Sequence, residues 1–408
     1  MKIQDLMNKR ILIAGYGIEG KSTENFLRKF VPSATFEITD RKDGEDYLKK
    51  QSEFDLVIKT PGIRAQEITV PYTTATNIFF ANLDKKHVTI GVTGTKGKST
   101  TASLIHHIFS QTGRQTELLG NIGKPLLDFF NEEHEQTVYI VCELSSYQLS
   151  DIQFSPHISL IVSLFPDHVP YHGTLDNYYE AKHRMIAHAE KTDYYVYNPA
   201  FTRLSEWTKT TSAQPKPYEN DFIPERIPLL GQHNVDNIRG AITVTSLCGV
   251  SYREAEDAIQ SFNPLPHRLQ KVGTFKRITF YDDAISTTPE STIAAVKAIP
   301  GISTIFLGGE DRGYDFLELA SELRETCIKN IVLFPESGAR IKTALFEVDR
   351  SFWNICETQS MEEAVAFAYN HAPPLSVCLL STASPSYSLW KNFVEKGDQF
   401  QKFVKQYA

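Results

Sequence analysis

Two spacings of apolar residues alternate along this chain. Runs such as RILIAG, FDLVIKTPG, HVTIGVTG, TVYIVCELSS, ISLIVSLF, STIFLGG, NIVLFPES and SVCLLSTAS are apolar through most of their length. Such short, nearly continuous runs predict strands buried on both faces. Between them, TTASLIHHIFSQTG, NVDNIRGAITVTSLCG and SYREAEDAIQSF repeat their apolar positions at helical spacing. The alternation predicts an α/β fold with mainly parallel sheets.

The runs fall into three blocks. The first goes from RILIAG through ATFEITD and FDLVIKTPG to NIFFANL. The second opens at HVTIGVTG and closes with the last two helical stretches; inside it, WTKTTSAQPKPYEND predicts a polar surface loop. The third follows NPLPHR, with RITFYDD as its first strand. A polar stretch near 83–87 and a Pro-rich hinge near 263–268 set the expected domains at 1–86, 87–263 and 264–408. A length of 408 residues suits several cores better than one.

Charge and composition narrow the partners. A net charge of -7 and a pI near 6.0 argue against nucleic acid. No apolar stretch approaches the ~20 residues of a membrane span. Cys142, Cys248, Cys327, Cys356 and Cys378 show no CxxC spacing, which suits a reducing cytoplasm and argues against a zinc cage. The start, MKIQDLMNKR, has no signal-peptide core, so a cytoplasmic location is expected.

The tetrapeptide GKST occurs twice, in GYGIEGKST from Gly15 and in GVTGTKGKST from Gly91. The first copy fits the strict phosphate-loop pattern and is also a GxGxxG (Gly15, Gly17, Gly20); the second has Val92 where the first glycine should stand. Context decides between them. The strand after the first loop ends at Asp40, 20 residues beyond Gly20, where an acid suits a ribose hydroxyl and the loop a diphosphate. The second loop is followed by Glu143 at a predicted strand's C-terminal end, an oxygen ligand for a hard cation. The backbone N–H groups of 94–99 are expected to wrap phosphate, with Lys98 on the terminal phosphates and Ser99 on magnesium. The second loop is therefore read as the ATP site.

TGTKGKSTT, GNIGKPLLD, ELSSYQL, PDHVPYHGTLDNYYEAKHRM, LLGQHNVDN, LPHR, LGGEDRGYDF and SPSYSLWKNFVEKGDQF occur in that order. Together they resemble the Mur ligases, the ATP-dependent amide-forming enzymes of peptidoglycan precursor synthesis. Within that family the chain is most similar to the branch that adds glutamate to UDP-N-acetylmuramoyl-L-alanine. The resemblance implies a Rossmann-like UDP-sugar domain, a central P-loop ATPase and a Rossmann-like amino-acid domain. It also implies a cytoplasmic, monomeric enzyme whose partners are ATP, a UDP-sugar peptide and glutamate.

Site residues follow from the same resemblance. ATP would meet Gly94, Thr95, Lys96, Gly97, Lys98, Ser99 and Thr100, together with Asn234, Asn237, Arg268 and Asp283. Catalysis would use Lys98, Glu143, His168 and Lys182, with Ser99, Glu143, His168 and Lys182 around two magnesium ions and Lys182 carried as a CO2-derived carbamate. Read alone, His168 would be a hydrogen-bonded turn histidine and Lys182 a solvated helix lysine. The UDP-sugar would touch Gly17, Ile18, Asp40, Arg41, Gly62 and Asn121, and glutamate would touch Thr287, Arg312, Ser386 and Phe393. His267 is expected to be structural.

Three departures fall near the amino-acid pocket. DAISTT (Asp283 to Thr288) replaces the branch's usual DSKATN, Arg312 replaces its usual lysine, and Pro166 stands where an acid is common. D-glutamate is the expected amino acid, with L-glutamate or another Mur-type specificity as the alternative. From another class, GxGxxG with Asp40 could mark a nicotinamide-dependent dehydrogenase, a reading that leaves the second GKST without a purpose.

Overall fold

The computed structural model describes residues 1–218, 229, 231–263 and 265–408. Residues 1–218 and 233–262 belong to one compact unit, and 263 and 265–408 to a second. Pro264 of the expected hinge lies outside the described residues.

The first unit carries two parallel sheets. One orders β1 (Arg10–Ala14), β2 (Thr35–Thr39), β3 (Leu56–Lys59) and β4 (Tyr72–Thr73) as β2-β1-β3-β4. Every residue of β3, and all of β1 past Arg10, is buried, as the unbroken apolar runs require. NIFFANL closes this region as a helix, Ala75–Asn82, whose N-cap Thr74 accepts from the Asn77 N–H. Its Ile78 and Phe79 share a core with Phe26 of helix Ile18–Phe30 and with Leu119 and Phe129 from the next region. Because that core is shared, the two sheets form one unit.

The second sheet contains β5 (Val88–Thr93), β6 (Thr116–Gly120), β7 (Tyr139–Glu143), β8 (Ile158–Ile161), β9 (Tyr194–Tyr197) and β10 (Gln214–Pro217). Their order is β10-β9-β8-β5-β7-β6, all parallel. β5 lies between β7 and β8, so the strand order reverses at its end, where α/β sheets open a crevice.

β10 corrects one expectation. The segment read as a polar loop contains this edge strand, although Glu219 to Asp221 at its end lie outside the described residues. Two prolines are tolerated because the ladder uses the alternate amides: Gln214 N–H donates to Asp193 O and Tyr218 N–H to Tyr197 O. Pro215 and Pro217 fall between those donors, on the side that has no neighbouring strand among the described residues.

The second unit holds β11 (Gln270–Phe275), β12 (Ile278–Asp282), β13 (Ile302–Gly308), β14 (Asn330–Phe334), β15 (Asn354–Glu357) and β16 (Val377–Leu380). The order is β11-β12-β16-β13-β14-β15, parallel except for the β11–β12 hairpin. All of β13 is buried, and this strand borders the reversal point between β13 and β16. Among the described residues, no helix is long and apolar enough to cross a membrane.

Candidate active site

β5 ends at Thr93, and the chain turns through 94–97 into helix Lys98–Gln111. Gly97 caps that helix at φ +84°, and a Cβ there would lie 2.3 Å from Asn237 Oδ1. Only glycine fits both the left-handed backbone and the contact. The turn is braced from β8's side: Thr95 N–H donates to Ser163 O and Lys96 N–H to Ser163 Oγ. The wrap of N–H groups expected over 94–99 is therefore smaller, because those two amides are used inside the protein. The first turn of the helix, with Lys98, Ser99 and buried Thr100, supplies the remaining donors and the positive dipole end.

Two amines reach the same loop. Lys98 Nζ donates to Gly94 O and Thr95 O, both at 3.0 Å. Lys182, on helix Leu175–Ala187, is fully buried and donates to Gly94 O at 2.8 Å. Burial drives its amine well below the ordinary lysine range, and the Lys98 charge pushes the same way against Asp167 and Glu143. The solvated-lysine reading of the isolated sequence is thus corrected. Its amine lies 4.8 Å from the centre of the Tyr178 ring.

Glu143 ends β7 with its side chain fully buried. Oε1 accepts from Asn121 Nδ2 at 3.1 Å, while Oε2 is buried with no hydrogen-bond partner. An acceptor left bare in this way costs stability unless a ligand or cation satisfies it. Asn121, expected on the UDP-sugar, directs its side-chain amide to Glu143.

His168 follows β8 at φ +52° and caps the short helix Val169–His172. Its Nδ1 lies 3.0 Å from the Tyr147 hydroxyl and its Nε2 3.7 Å from Asp167 Oδ2. Burial holds its imidazole below the usual value, opposed by Asp167 and aided by Lys98 and Lys182. Among the described residues no three His, Cys, Asp or Glu side chains cluster as a metal cage. A magnesium ion needs few protein ligands when phosphates and water supply the rest.

Asn234 and Asn237 are both buried on helix Gln232–Leu247, with Asn237 Nδ2 donating to Asn234 Oδ1 at 2.8 Å. Asn237 Oδ1 accepts from Thr101 Oγ1 and faces Gly97, so the pair backs the loop.

This geometry has relatives. The sequence family described as the Mur ligase middle domain matches residues 92–221. Over 99% of both chains, the sequence is 30% identical to a UDP-N-acetylmuramoylalanine--D-glutamate ligase of Streptococcus thermophilus. A UDP-N-acetylmuramoyl-L-alanine--L-glutamate ligase of Salinispora tropica is also 30% identical, over 100% of both. The chain belongs to the Mur ligase family. In fold, it is similar to a MurF ligase from Thermotoga maritima solved in complex with ADP, with a TM-score of 0.64 at 13% identity, covering 100% of this chain and 97% of that one.

In this Mur ligase the first glycine loop is a tight strand-to-helix turn. Gly15 sits at φ +92°, where a Cβ would fall 1.9 Å from Thr60 Oγ1. Gly17 caps helix Ile18–Phe30, and Ile18 beside it is exposed. Asp40 holds the turn from the next strand, accepting from Tyr16 N–H at 2.6 Å and from Lys42 N–H. Those bonds hold its carboxyl below the ordinary range. Arg41 Nη2 donates to Gly62 O at 3.1 Å, which brings these two predicted residues together.

In the second unit Asp283 is buried, accepting from Ser381 Oγ and Leu269 N–H. Burial pushes its carboxyl up to about 6 against the pull of those bonds and of the Arg268 charge. Arg312 is exposed, pairs with Glu310 at 2.8 Å and lies 5.9 Å from the Tyr387 ring centre. Ser386 is buried with its Oγ unpartnered, Phe393 opens helix Phe393–Gln406, and Thr287 directly precedes N-cap Thr288 of helix Pro289–Ala298. His267, expected to be structural, is buried with Nδ1 2.7 Å from Asp282 Oδ2.

Sequence reasoning passed over three groups. Tyr147 touches His168, and its signal was a hydroxyl-bearing aromatic just past Glu143 in ELSSYQL. Lys59 is buried against Asp151 at 2.6 Å, signalled by a lysine closing the apolar run LVIK. Lys396 is buried on Thr382 Oγ1 at 2.5 Å, and burial brings its amine down to about 7.

Proposed function

We propose that this Mur ligase is MurD-type: it uses ATP to join glutamate to the carboxylate of UDP-N-acetylmuramoyl-L-alanine. A carboxylate and an amine do not condense directly in water, because oxide is a poor leaving group. Attack of the carboxylate on the γ-phosphate of ATP gives an acyl phosphate and ADP. The amine of glutamate then attacks the acyl carbon, and phosphate leaves from the tetrahedral intermediate. Such chemistry gathers anions, so a site built for it concentrates positive charge.

The observation that carries the reading is Glu143 Oε2, buried and without a hydrogen-bond partner at the strand end beside β5. The residues fit magnesium: Glu143, Ser99 and His168 would hold it, leaving positions for phosphate oxygen and water. Bound there, the ion would neutralise charge developing on the transferred phosphoryl group. Lys182 fits carbamylation, since burial favours the uncharged amine that reacts with CO2, and the carbamate would offer a second cation an anionic oxygen. Lys98 and the helix N-terminus hold the phosphates, and the Asn234–Asn237 pair keeps the loop in shape.

We assign 1–86 to the UDP-sugar, with Gly17, Ile18, Asp40, Arg41, Gly62 and Asn121 as its contacts. Residues 87–263 handle ATP. Residues 264–408 bring glutamate through Thr287, Arg312, Ser386 and Phe393, and Arg268 and Asp283 meet the nucleotide. An exposed guanidinium such as that of Arg312 can fork onto a carboxylate. D-glutamate is the first expectation and L-glutamate the alternative. The test is release of inorganic phosphate from ATP with magnesium, the UDP-sugar peptide and each glutamate enantiomer in turn. Release requiring the peptide and one enantiomer supports the reading, and no release with either from folded protein rejects it.

A further inference from the structure

A histidine that ligates a cation through one ring nitrogen must present that nitrogen's lone pair, and a partner on the other nitrogen sets the tautomer. His168 has such a partner. Its Nδ1 lies 3.0 Å from the Tyr147 hydroxyl, and the two rings are 5.2 Å apart at 61°. Tyr147 sits on the one-turn helix Ser146–Leu149, which begins three residues after Glu143. One short segment therefore carries both the buried carboxylate and the hydroxyl that meets the imidazole.

The tyrosine ring is itself held. It packs edge-on against Tyr171 at 4.2 Å and stacks on His172 at 5.7 Å. Tyr171 donates its hydroxyl to Pro61 O at 2.8 Å, and Arg64 Nη2 donates to Pro170 O at 2.6 Å. The loop around Gly62 is thereby tied to the segment that bears His168. His172 is fixed separately, with Nε2 3.1 Å from Ser146 Oγ. These contacts leave the Tyr147 hydroxyl little freedom.

We propose that Tyr147 is a positioning residue: its oxygen accepts the Nδ1–H of His168, fixing the imidazole so that Nε2 presents its lone pair to a divalent cation. This deepens the ligase reading and rests on His168 being a cation ligand. It assigns the proton to Nδ1, which geometry alone leaves open between the two atoms.

The first test needs no metal and no turnover. In full-length protein with 15N-labelled histidine, long-range 1H–15N correlation above the imidazole's titration range reports the tautomer of His168, assigned by its loss in His168→Ala. The expected signal is Nδ1–H in the wild type and a shift toward Nε2–H in Tyr147→Phe, which keeps the ring. A wild-type proton on Nε2 overturns the proposal, whatever the variant does. The second test titrates Mn2+ by electron paramagnetic resonance with ADP present. Loss of the outer partner is expected to weaken Mn2+ about 10-fold. His168→Ala should weaken it at least as much, and adding Tyr147→Phe to His168→Ala should cost nothing further. Unchanged Mn2+ affinity in Tyr147→Phe beside weakened affinity in His168→Ala overturns the positioning role. Unchanged affinity in both removes the cation role of His168, and the proposal with it. Phosphate release by the wild type is scored separately, so failure of the ligase reading is visible on its own.

Discussion

The side-chain amines of Lys98 and Lys182 share one acceptor, the carbonyl oxygen of Gly94, at 3.0 and 2.8 Å. Burial first, and then the neighbouring Lys98 charge, drive the Lys182 amine well below its ordinary range. Replacing Lys182 by Met removes a buried amine, keeps the volume and leaves Gly94 O its bond from Lys98. Lys182→Met should therefore match or exceed the wild type in thermal midpoint. Glutamate-dependent phosphate release should fall by about 100-fold or more, the scale of losing one electrostatic element of a site. A variant that melts early, or that turns over normally, contradicts the assignment.

Glu143→Gln keeps the shape of the side chain and, through Oε1, its acceptance from Asn121, while an NH2 group replaces the second oxygen and with it the carboxylate. An unpaired buried carboxylate is costly, so the variant should be as stable as the wild type or more so. Phosphate release should drop by about 10² to 10³-fold. Gel filtration and a melting curve separate loss of chemistry from loss of fold.

Much of this was legible in the chain. Continuous apolar runs announced parallel strands, and Gly94, Glu143 and His168 each follow or close one of them, because crossover connections leave ligand loops at carboxyl ends. What stayed hidden depends on partners far away in sequence. Helix Leu175–Ala187 is amphipathic by spacing, yet whether Lys182 faces water or a cavity is decided by the loop after β5, 88 residues earlier. Ser163 takes two loop amides, and Asn121 turns to Glu143, through contacts that no local period encodes. The prolines of QPKP suggested a loop because the pattern cannot say that, among the described residues, one side of the strand has no neighbour.

Gly97 and Gly17 give a matched pair of substitutions. At Gly97, alanine meets both φ +84° and an Asn237 oxygen 2.3 Å from its Cβ. The left-handed backbone costs about 1 kcal/mol and the overlap about 1–3 more. Gly17 has φ -74° and nothing within 4 Å of a Cβ. Gly17→Ala should therefore leave the thermal midpoint nearly unchanged, while Gly97→Ala lowers it clearly and weakens ADP binding measured by calorimetry. Equal midpoints for the two variants would sink the steric account.

Glu19 makes the sharpest pH prediction. Its Oε2 accepts from Gln148 Nε2 at 3.3 Å, while Oε1 is buried without a hydrogen-bond partner, because nearby Lys59 is engaged by Asp151 and Ile63 O. Burial raises the Glu19 carboxyl to about 7, with Gln148 and Lys59 only partly offsetting it. A folded-state value above the unfolded 4.5 means that the folded protein holds this proton more tightly. The associated stability is complete below pH 4.5 and lost as pH rises through about 7. A gap of about 2.5 units corresponds to about 3 kcal/mol at full ionisation. Glutamine cannot ionise, so Glu19→Gln should resemble the wild type at pH 4.5 and exceed it progressively toward pH 8. Gln148 bonds the group, Lys59 acts on it by charge and is itself held by Asp151, and none of the three is altered by the substitution. Thermal midpoints of both proteins across that range decide the matter: a difference that does not grow with pH would mean the proton is not where the structure puts it.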